Sequence, residues 1–250
     1  MMRKRIYIFL FLLIGFSGQA QIFTENTKRV LFIGNSITYA GRYVQIVEAY
    51  QRAKFPNQEI DIYNVGLPSE TVSGLSEDGH ASGRFPRPDL HERLARVLEQ
   101  IKPDLVFASY GMNDGIYLPL DEIRFQKFKE GMIWMHEQVE SSGANIIHIT
   151  PSLYEEKMNE NSGYGKVLDE YSQWLIEQKN WQVIDTHRAL QKYLTTELKK
   201  DKTFRISKDG IHPGDQGHWI IAKEILRYLG AKKISRINSV EKMLEPVKNP

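Results

Sequence analysis

Three side chains of this sequence have the chemistry of an activated serine nucleophile. Ser36 stands in the turn Gly34-Asn-Ser36 after an apolar run, and Asp209 and His212 stand in Asp209-Gly-Ile-His-Pro213. A serine hydroxyl attacks poorly until a base takes its proton, and an imidazole serves best when a carboxylate fixes its tautomer. The spacing of three residues lets Asp209 reach the ring of His212. These residues indicate acyl transfer by a Ser-His-Asp triad, provided that the fold brings the two segments together.

Acyl transfer also needs donors aimed at the oxygen that becomes negative in the transition state. Three candidates for this oxyanion hole are the backbone N–H of Ser36, the backbone N–H of Gly66 in Asn64-Val-Gly66, and the side-chain amide of Asn113 in Gly111-Met-Asn-Asp114. We assign Asp114 to structure, as a cap of backbone amides. A helix cap or a plain turn is the alternative for Ser36, and a plain turn is the alternative for Asn113-Asp-Gly115, because Gly, Asn, Asp and Ser are common turn formers. His212 has the alternative of a loop residue without a function.

Short apolar segments alternate with helical patterns along the chain. The predicted strands are Arg29–Gly34, Glu59–Gly66, Asp104–Tyr110, Asn145–Thr150 and Trp181–Asp185. Apolar residues at helical spacing form four stripes between and after them, which begin at Leu94, Phe128, Val167 and Ile221. This alternation predicts a three-layer α/β/α sandwich with a parallel sheet of about five strands in flavodoxin-like order. Ligands of such sheets bind outside the carboxyl ends of the strands, which is where the candidate residues stand.

One long segment, residues 67–90, interrupts the alternation. It contains many Gly, Ser and Pro residues and little periodicity, and loops of this length in compact domains are usually functional or disordered. Since it follows the second predicted strand, we expect it to overhang the same edge as Ser36, and we take His80 and Arg84 as candidate substrate-binding residues. We assign the other histidines to the surface or to hydrogen-bonded core positions, and residues 231–250 to a solvated tail.

The chain resembles the SGNH hydrolases, also called the GDSL esterase/lipase family. Four blocks occur in the family's order: Gly34-Asn-Ser36, Gly66 after Asn64-Val65, Gly111-Met-Asn-Asp114 and Asp209-Gly-Ile-His212. The resemblance implies the flavodoxin-like SGNH hydrolase fold, with Ser36 as nucleophile and His212 and Asp209 as its triad partners. It also implies an oxyanion hole of Ser36, Gly66 and Asn113. The first block has Gly-Asn-Ser-Ile where the family name implies Gly-Asp-Ser-Leu, and Asn at that position is common in carbohydrate-acting members.

The N-terminus is typical of a secretory signal peptide. Three basic residues, Arg3, Lys4 and Arg5, precede an apolar run that is shorter than the ~20 residues of a membrane span, and small residues follow at Gly18 and Ala20. We expect a signal peptide at residues 1–20, a single hydrolase domain at residues 21–250, and a periplasmic or secreted product without a stable membrane anchor.

Composition narrows the classes of function. The chain has 33 basic and 31 acidic residues and no Cys, so cleavage of the signal leaves a net charge of −1 and nothing that indicates a nucleic-acid partner. No Gly-x-Ser-x-Gly elbow, phosphate-binding loop or His-Glu-x-x-His motif is present. We expect no metal and no cofactor, although a metal-dependent hydrolase with Asp209, His212 and His218 as ligands is an alternative.

The residues and the resemblance together predict a secreted serine esterase that removes O-acyl groups, most often O-acetyl, from carbohydrate. Its substrate would be a small-molecule or polysaccharide ester. A lipase, lysophospholipase or thioesterase of the same family is one alternative. A carbohydrate-binding domain without catalysis is another.

Overall fold

The computed structural model of the protein describes residues 22–156 and 162–245, so the predicted signal peptide lies outside the described residues. The strands are β1 (Arg29–Gly34), β2 (Asp61–Asn64), β3 (Leu105–Ser109), β4 (Asn145–Ile149) and β5 (Gln182–Ile184). The α-helices are α1 (Ser36–Tyr39), α2 (Arg42–Lys54), α3 (Leu94–Ile101), α4 (Glu122–Ser141), α5 (Tyr164–Ile176), α6 (Thr186–Lys200), α7 (Asp215–Tyr228) and α8 (Val240–Leu244). Short 3-10 helices cover His80–Gly83, Leu90–Glu92 and Lys232–Arg236.

All five strands are parallel and lie in the order β2-β1-β3-β4-β5. This confirms the predicted α/β fold and its flavodoxin-like strand order. β1 has β2 on one side and β3 on the other, so the strand order reverses beside β1, which is where open parallel sheets bind ligands. The last residue of β1, Gly34, pairs with Ser109 at the end of β3. The turns that follow these two strands therefore lie side by side.

Two groups of helices cover the two faces of the sheet. α2 packs against α7 and α8, and α7 packs against α6. On the other side α3 packs against α4, and Phe128 of α4 stacks on Tyr171 of α5 at 4.1 Å between ring centroids. A strand that is covered on both faces needs apolar side chains on both, which explains the uninterrupted run Val30–Ile33 in β1, where every residue is buried.

The segment that follows α7 differs from the expected solvated tail. Ala231, Ile234 and Met243 are buried, and α8 contacts α2. Ser239 caps α8 by accepting a hydrogen bond from the N–H of Lys242. Residues 231–245 therefore complete the helical layer on one face, because their few apolar side chains fill the gap beside α2 and α7. Among the helices of the described ranges, none is both long enough and apolar enough to cross a bilayer.

Candidate active site

Ser36 lies at the carboxyl end of β1, as the first residue of α1. The residue before it, Asn35, is the cap of this helix, and its Oδ1 accepts a hydrogen bond from the N–H of Ile37 at 3.1 Å. Gly34 has no room for a side chain, because a Cβ there would lie 2.4 Å from the Thr38 hydroxyl and 2.6 Å from the carbonyl oxygen of Ser109. The sharp turn leaves Ser36 partly exposed between buried neighbours.

His212 joins Ser36 and Asp209 in one row of hydrogen bonds. Its Nε2 lies 2.8 Å from the Ser36 Oγ, and its Nδ1 lies 2.6 Å from Oδ2 of Asp209. A carboxylate can only accept, so Nδ1 carries the ring hydrogen and Nε2 is left to accept from the serine hydroxyl. The structure thus brings together three side chains from two segments that are 176 residues apart.

The other oxygen of Asp209 holds the loop around the carboxylate. Its Oδ1 accepts from the Ser207 hydroxyl at 2.8 Å, from the N–H of Ile211 at 2.9 Å and from the N–H of His212 at 2.8 Å. Partial burial acts to raise the pKa of Asp209, but the hydrogen bonds from His212, Ile211 and Ser207 outweigh it and keep the pKa well below its usual range. Asp209 is therefore ionised and fixed in place whenever His212 can act as a base.

Glu155, which no sequence pattern indicated, anchors the same loop. This buried carboxylate accepts from the N–H of Ser207 at 2.6 Å, and its own N–H donates to the carbonyl of Gly210 at 2.8 Å. Burial raises the pKa of Glu155 above its usual value, and the bond from Ser207 opposes the rise. The loop that carries Asp209 and His212 is thereby tied to the segment after β4.

Asn113 lies buried at the end of β3 with both ends of its amide engaged. Its Nδ2 donates to the carbonyl of Glu70 at 3.1 Å, and its Oδ1 accepts from the Tyr117 hydroxyl at 3.0 Å. One hydrogen of the NH₂ group remains for another acceptor. The N–H of Ser36, at the first turn of α1, likewise has no acceptor within the described residues.

Gly66 lies against α1, where a Cβ would stand 2.2 Å from the backbone nitrogen of Tyr39. Its N–H donates to Oδ1 of Asn64 at 3.0 Å, and Nδ2 of Asn64 donates to the carbonyl of Thr38 at 2.7 Å. The Gly66 amide is therefore not a free donor in this structure, unlike those of Ser36 and Asn113. Asn64 connects β2 to α1, a contact that depends on its side-chain conformation and that the sequence did not indicate.

Residues 32–220 match the model of the GDSL-like lipase/acylhydrolase family. The chain belongs to that family. This confirms the resemblance stated from the four sequence blocks, and it makes the protein a carboxylic ester hydrolase.

Individual relatives agree with the family. The chain is 26% identical over 229 residues to an acetylxylan esterase from Geobacillus stearothermophilus, a match that covers 81% of this chain and 94% of the relative. A solved structure of a catalytic mutant of an acetylxylan esterase from the same organism aligns with a TM-score of 0.62 at 24% identity, over 81% of this chain and 94% of that one. A gut microbial diltiazem-metabolizing enzyme aligns with a TM-score of 0.69 at 22% identity, over 84% of this chain and 49% of that one. At these sequence identities the two structures support the fold alone.

The third block of this GDSL-family chain also carries Asp114, whose predicted role as a cap is confirmed. One carboxylate oxygen accepts from the N–H groups of Val72 and Ser73 at 2.8 and 2.9 Å, and the other accepts from that of Gly111 at 2.8 Å. Complete burial raises the pKa of Asp114 above its usual value, against the opposing effect of these bonds. Asp114 therefore fastens the long loop after β2 to the end of β3.

Glu70 is a buried carboxylate of the long loop that no sequence pattern indicated. It accepts from Nε and one terminal nitrogen of Arg93 at 2.5 and 2.6 Å, and from the Tyr110 hydroxyl at 2.6 Å. Burial raises the pKa of Tyr110 well above its usual value, and the charge of Glu70 adds to the rise. This network fixes the backbone of Glu70, whose carbonyl is the partner of Asn113.

His80 and Arg84, the two candidate substrate-binding residues of the long loop, make bonds within that loop. Nδ1 of His80 lies 3.1 Å from the carbonyl of Phe85, and Nε of Arg84 donates to the carbonyl of Ala81 at 3.0 Å. In the ranges that the structure describes, neither side chain bonds to Ser36, Asp209 or His212.

The alternative metal ligand set does not form a cluster. His218 lies buried on α7 and stacks on Tyr43 at 5.9 Å between ring centroids. Over the described part of the chain, no group of three or more His, Asp and Glu side chains is arranged to hold a metal ion. His148 makes the expected core hydrogen bond through Nε2, which lies 2.9 Å from Nδ1 of His136. Nδ1 of His148 and Nδ1 of His218 are nevertheless buried without a partner in the described residues.

Proposed function

We propose that this GDSL-family esterase removes O-acyl groups, most often O-acetyl, from carbohydrate, with Ser36 as nucleophile, His212 as general base and Asp209 as the group that orients it. The observation that supports this proposal is the continuous row of hydrogen bonds at 2.8 and 2.6 Å from Ser36 through His212 to Asp209. In this row His212 can take the serine proton as Oγ attacks, which is what a serine hydroxyl needs to attack an ester at neutral pH.

The reaction would proceed in two halves. Nε2 of His212 takes the proton of Ser36 while Oγ attacks the ester carbonyl, and the resulting tetrahedral oxyanion accepts bonds from the Ser36 N–H and the Asn113 amide. His212 then gives its proton to the departing sugar hydroxyl, which leaves an acyl-enzyme. In the second half a water molecule gives a proton to His212 and attacks the acyl carbonyl. His212 then returns this proton to Oγ of Ser36 as the acyl–oxygen bond breaks, and free carboxylic acid leaves.

A third donor, Gly66, would join the oxyanion hole only by releasing Asn64. Its N–H donates to the side-chain oxygen Oδ1 of Asn64, which an incoming oxyanion could replace if that side chain turned away. The mechanism does not require this step, because two preorganised donors already account for the usual oxyanion hole contribution.

Two observations support a carbohydrate ester as substrate: the name of a relative and the solvent exposure of the candidate triad. A relative that is 26% identical over 81% of this chain and 94% of its own length is named an acetylxylan esterase. The side chains of His212 and Asp209 are about half exposed, so the candidate triad is open to solvent. A site that is open to solvent suits a hydrated sugar better than a long acyl chain, whose burial would need an apolar groove.

The test uses the chain from residue 21 with acetylated xylo-oligosaccharides and other acetylated glycans, assayed by acetate release. Nitrophenyl esters of two to eight acyl carbons give the acyl-length profile. We expect acetate release from the glycans, a preference for the two-carbon ester, and no turnover by Ser36→Ala with unchanged folding. Faster turnover of the eight-carbon ester would instead indicate a lipase-type enzyme. Glycan binding without turnover would indicate a binding domain.

We further propose that the protein is exported, on the basis of the basic and apolar segments that begin the sequence. Expression of the full chain in a bacterial host with a periplasm should give a product whose N-terminal residue is Gln21. Intact residues 1–20 on the recovered cytoplasmic protein would contradict export.

A further inference from the structure

The amide of Asn113 has only one orientation that satisfies its surroundings. The Glu70 carbonyl, 3.1 Å away, can only accept, so it must face the NH₂ group and not the amide oxygen. The amide oxygen then faces the Tyr117 hydroxyl at 3.0 Å, which must donate. Loss of either partner would let the amide rotate, and its second N–H would no longer point in a fixed direction.

We infer that Tyr117 is a positioning residue for the oxyanion hole, acting through Asn113. The inference rests on the proposed function, in which the remaining amide hydrogen of Asn113 binds the oxyanion. Tyr117 does not need to touch the substrate for this role. It fixes the donor before the reaction begins, which is the condition under which such donors contribute most.

Tyr117 is itself held in place by its surroundings. Its ring lies 4.9 Å from that of Tyr164 and 5.9 Å from that of Tyr154, and the guanidinium of Arg87 lies over it at 5.3 Å. Burial raises the pKa of Tyr117 to about 12, so the hydroxyl keeps its hydrogen at neutral pH. A phenol that stays protonated and packed is a constant donor.

The backbone around Asn113 is bent to bring Tyr117 back toward it. Ile116 and Tyr117 have φ of +48° and +56°, in the left-handed region that non-glycine residues rarely adopt and that is costly for a β-branched side chain. The Tyr164 hydroxyl accepts from the N–H of Gly115 at 3.1 Å and donates to the carbonyl of Met112 at 2.9 Å, which braces both sides of Asn113. Ile116 and Tyr117 are the central residues of a turn that the N–H of Leu118 closes on the carbonyl of Gly115 at 3.1 Å, and this turn returns the Tyr117 hydroxyl to Asn113.

The decisive experiment is a double-mutant cycle of Tyr117→Phe and Asn113→Ala, measured as kcat and KM on a nitrophenyl acetate. Tyr117→Phe keeps the ring and removes one hydrogen bond, so kcat should fall about 3- to 10-fold with KM unchanged. Asn113→Ala should lower kcat by about 10²–10³. In the Asn113→Ala background, Tyr117→Phe should have no further effect, because the group it orients is gone.

A matched control is Tyr154→Phe, which removes a hydroxyl from the same aromatic cluster without touching Asn113 and should leave kcat within twofold. Melting temperatures of all variants exclude loss of fold as the cause. If Asn113→Ala fails to fold, a second measurement replaces the double-mutant cycle: the affinity for a boronic acid that forms a tetrahedral adduct with Ser36. Tyr117→Phe should weaken this affinity by the same factor by which it lowers kcat/KM.

Two results would overturn the inference: losses that simply add in the double variant, or a Tyr117→Phe effect confined to KM or to melting temperature. Ser36→Ala separates this failure from failure of the proposed function. An active Ser36→Ala would end the mechanism altogether. An inactive Ser36→Ala together with additive losses would leave the mechanism intact and remove only the role of Tyr117.

Discussion

Two polar regions meet at the carboxyl edge of the sheet, and they differ in their access to water. In the first, the Asp209 and His212 side chains are 53% and 47% exposed. In the second, Glu70 and Asp114 are fully buried and Asn113 is 3% exposed. In the proposed mechanism the exposed region passes protons between serine, substrate and water, so burial would hinder it. The buried region only has to hold donors and backbone still, and hydrogen bonds are strongest and least mobile where water is absent.

The largest expected effect comes from breaking the exposed region at Asp209. Asp209→Asn presents an NH₂ group to Nδ1 of His212, which favours the tautomer that cannot accept from Ser36. We expect kcat to fall by about 10⁴-fold with little change in KM. The matched control is Asp201→Asn, since Asp201 also accepts from a neighbouring N–H and hydroxyl, those of Thr203, but stands at the surface after α6. A loss smaller than tenfold for Asp209→Asn would show that proton transfer does not depend on this carboxylate.

Gly66→Ala tests how firmly the edge strand positions α1. The new methyl group would lie 2.2 Å from the Tyr39 nitrogen and 2.7 Å from the Thr38 carbonyl carbon, so α1 or the loop must shift. We expect about 1–3 kcal/mol less stability and about 10²-fold lower turnover, because Ser36 moves with α1.

Gly79→Ala is the control for this substitution, since no heavy atom lies within 4 Å of its new methyl group. Urea unfolding and turnover of the two variants should differ clearly. Equal stability and activity of the two variants would mean that α1 can shift without cost, despite the close packing at Gly66.

The fold could be predicted because its strands are short runs of apolar residues in the sequence. Val30–Ile33 needs cover on both faces, and alternation with helical stripes then leaves few arrangements other than a parallel sandwich. α6 was missed, since only Leu190 is a large apolar residue among its buried positions. The buried segment after α7 was missed for a similar reason, because three scattered apolar residues give no periodic signal.

The candidate site was predictable only in part. Ser36, Asp209, His212 and Asn113 stand at strand ends or in the last loop, and the order of the blocks identified them. Their supporting residues gave no such signal. Glu155 contacts Ser207 across 52 positions of sequence, and Glu70 contacts Tyr110 across 40. The bond between Gly66 and Asn64 depends on a rotamer, which no pattern of residue types determines.

The contrast between exposed and buried groups extends to the histidines and predicts an acid-dependent loss of stability. His148 is fully buried, and burial, with a smaller effect of His136, lowers its pKa to about 3. The unfolded chain, with an ordinary histidine pKa of about 6.5, binds this proton first, so stability falls as the pH drops below about 6.5. We expect His148 to account for about 2 kcal/mol of lost stability between pH 7.5 and pH 5.

His148→Asn isolates this effect, because buried carboxyl groups such as Asp114 and Glu155 have raised pKa values and act in the opposite direction. Urea unfolding of the wild type and the variant at pH 7.5 and pH 5 gives the difference directly. The variant should show a pH dependence smaller by about 2 kcal/mol. Identical pH dependence in both proteins would mean that His148 is protonated in the folded state.

The smallest effect on stability and turnover is expected from a solvent-exposed ion pair. Arg42 at the start of α2 pairs with Asp215 at the start of α7, and so connects the helix after Ser36 to the helix after His212. Their side chains are 55% and 86% exposed, and water and salt screen such pairs. Arg42→Gln should lower the free energy of unfolding by less than about 1 kcal/mol and leave kcat within twofold, at low and at high salt. A tenfold drop in kcat at every salt concentration would mean that the alignment of Ser36, His212 and Asp209 depends on this ion pair. The buried contacts at Asn113 and Glu155 would then not be sufficient to hold the site together.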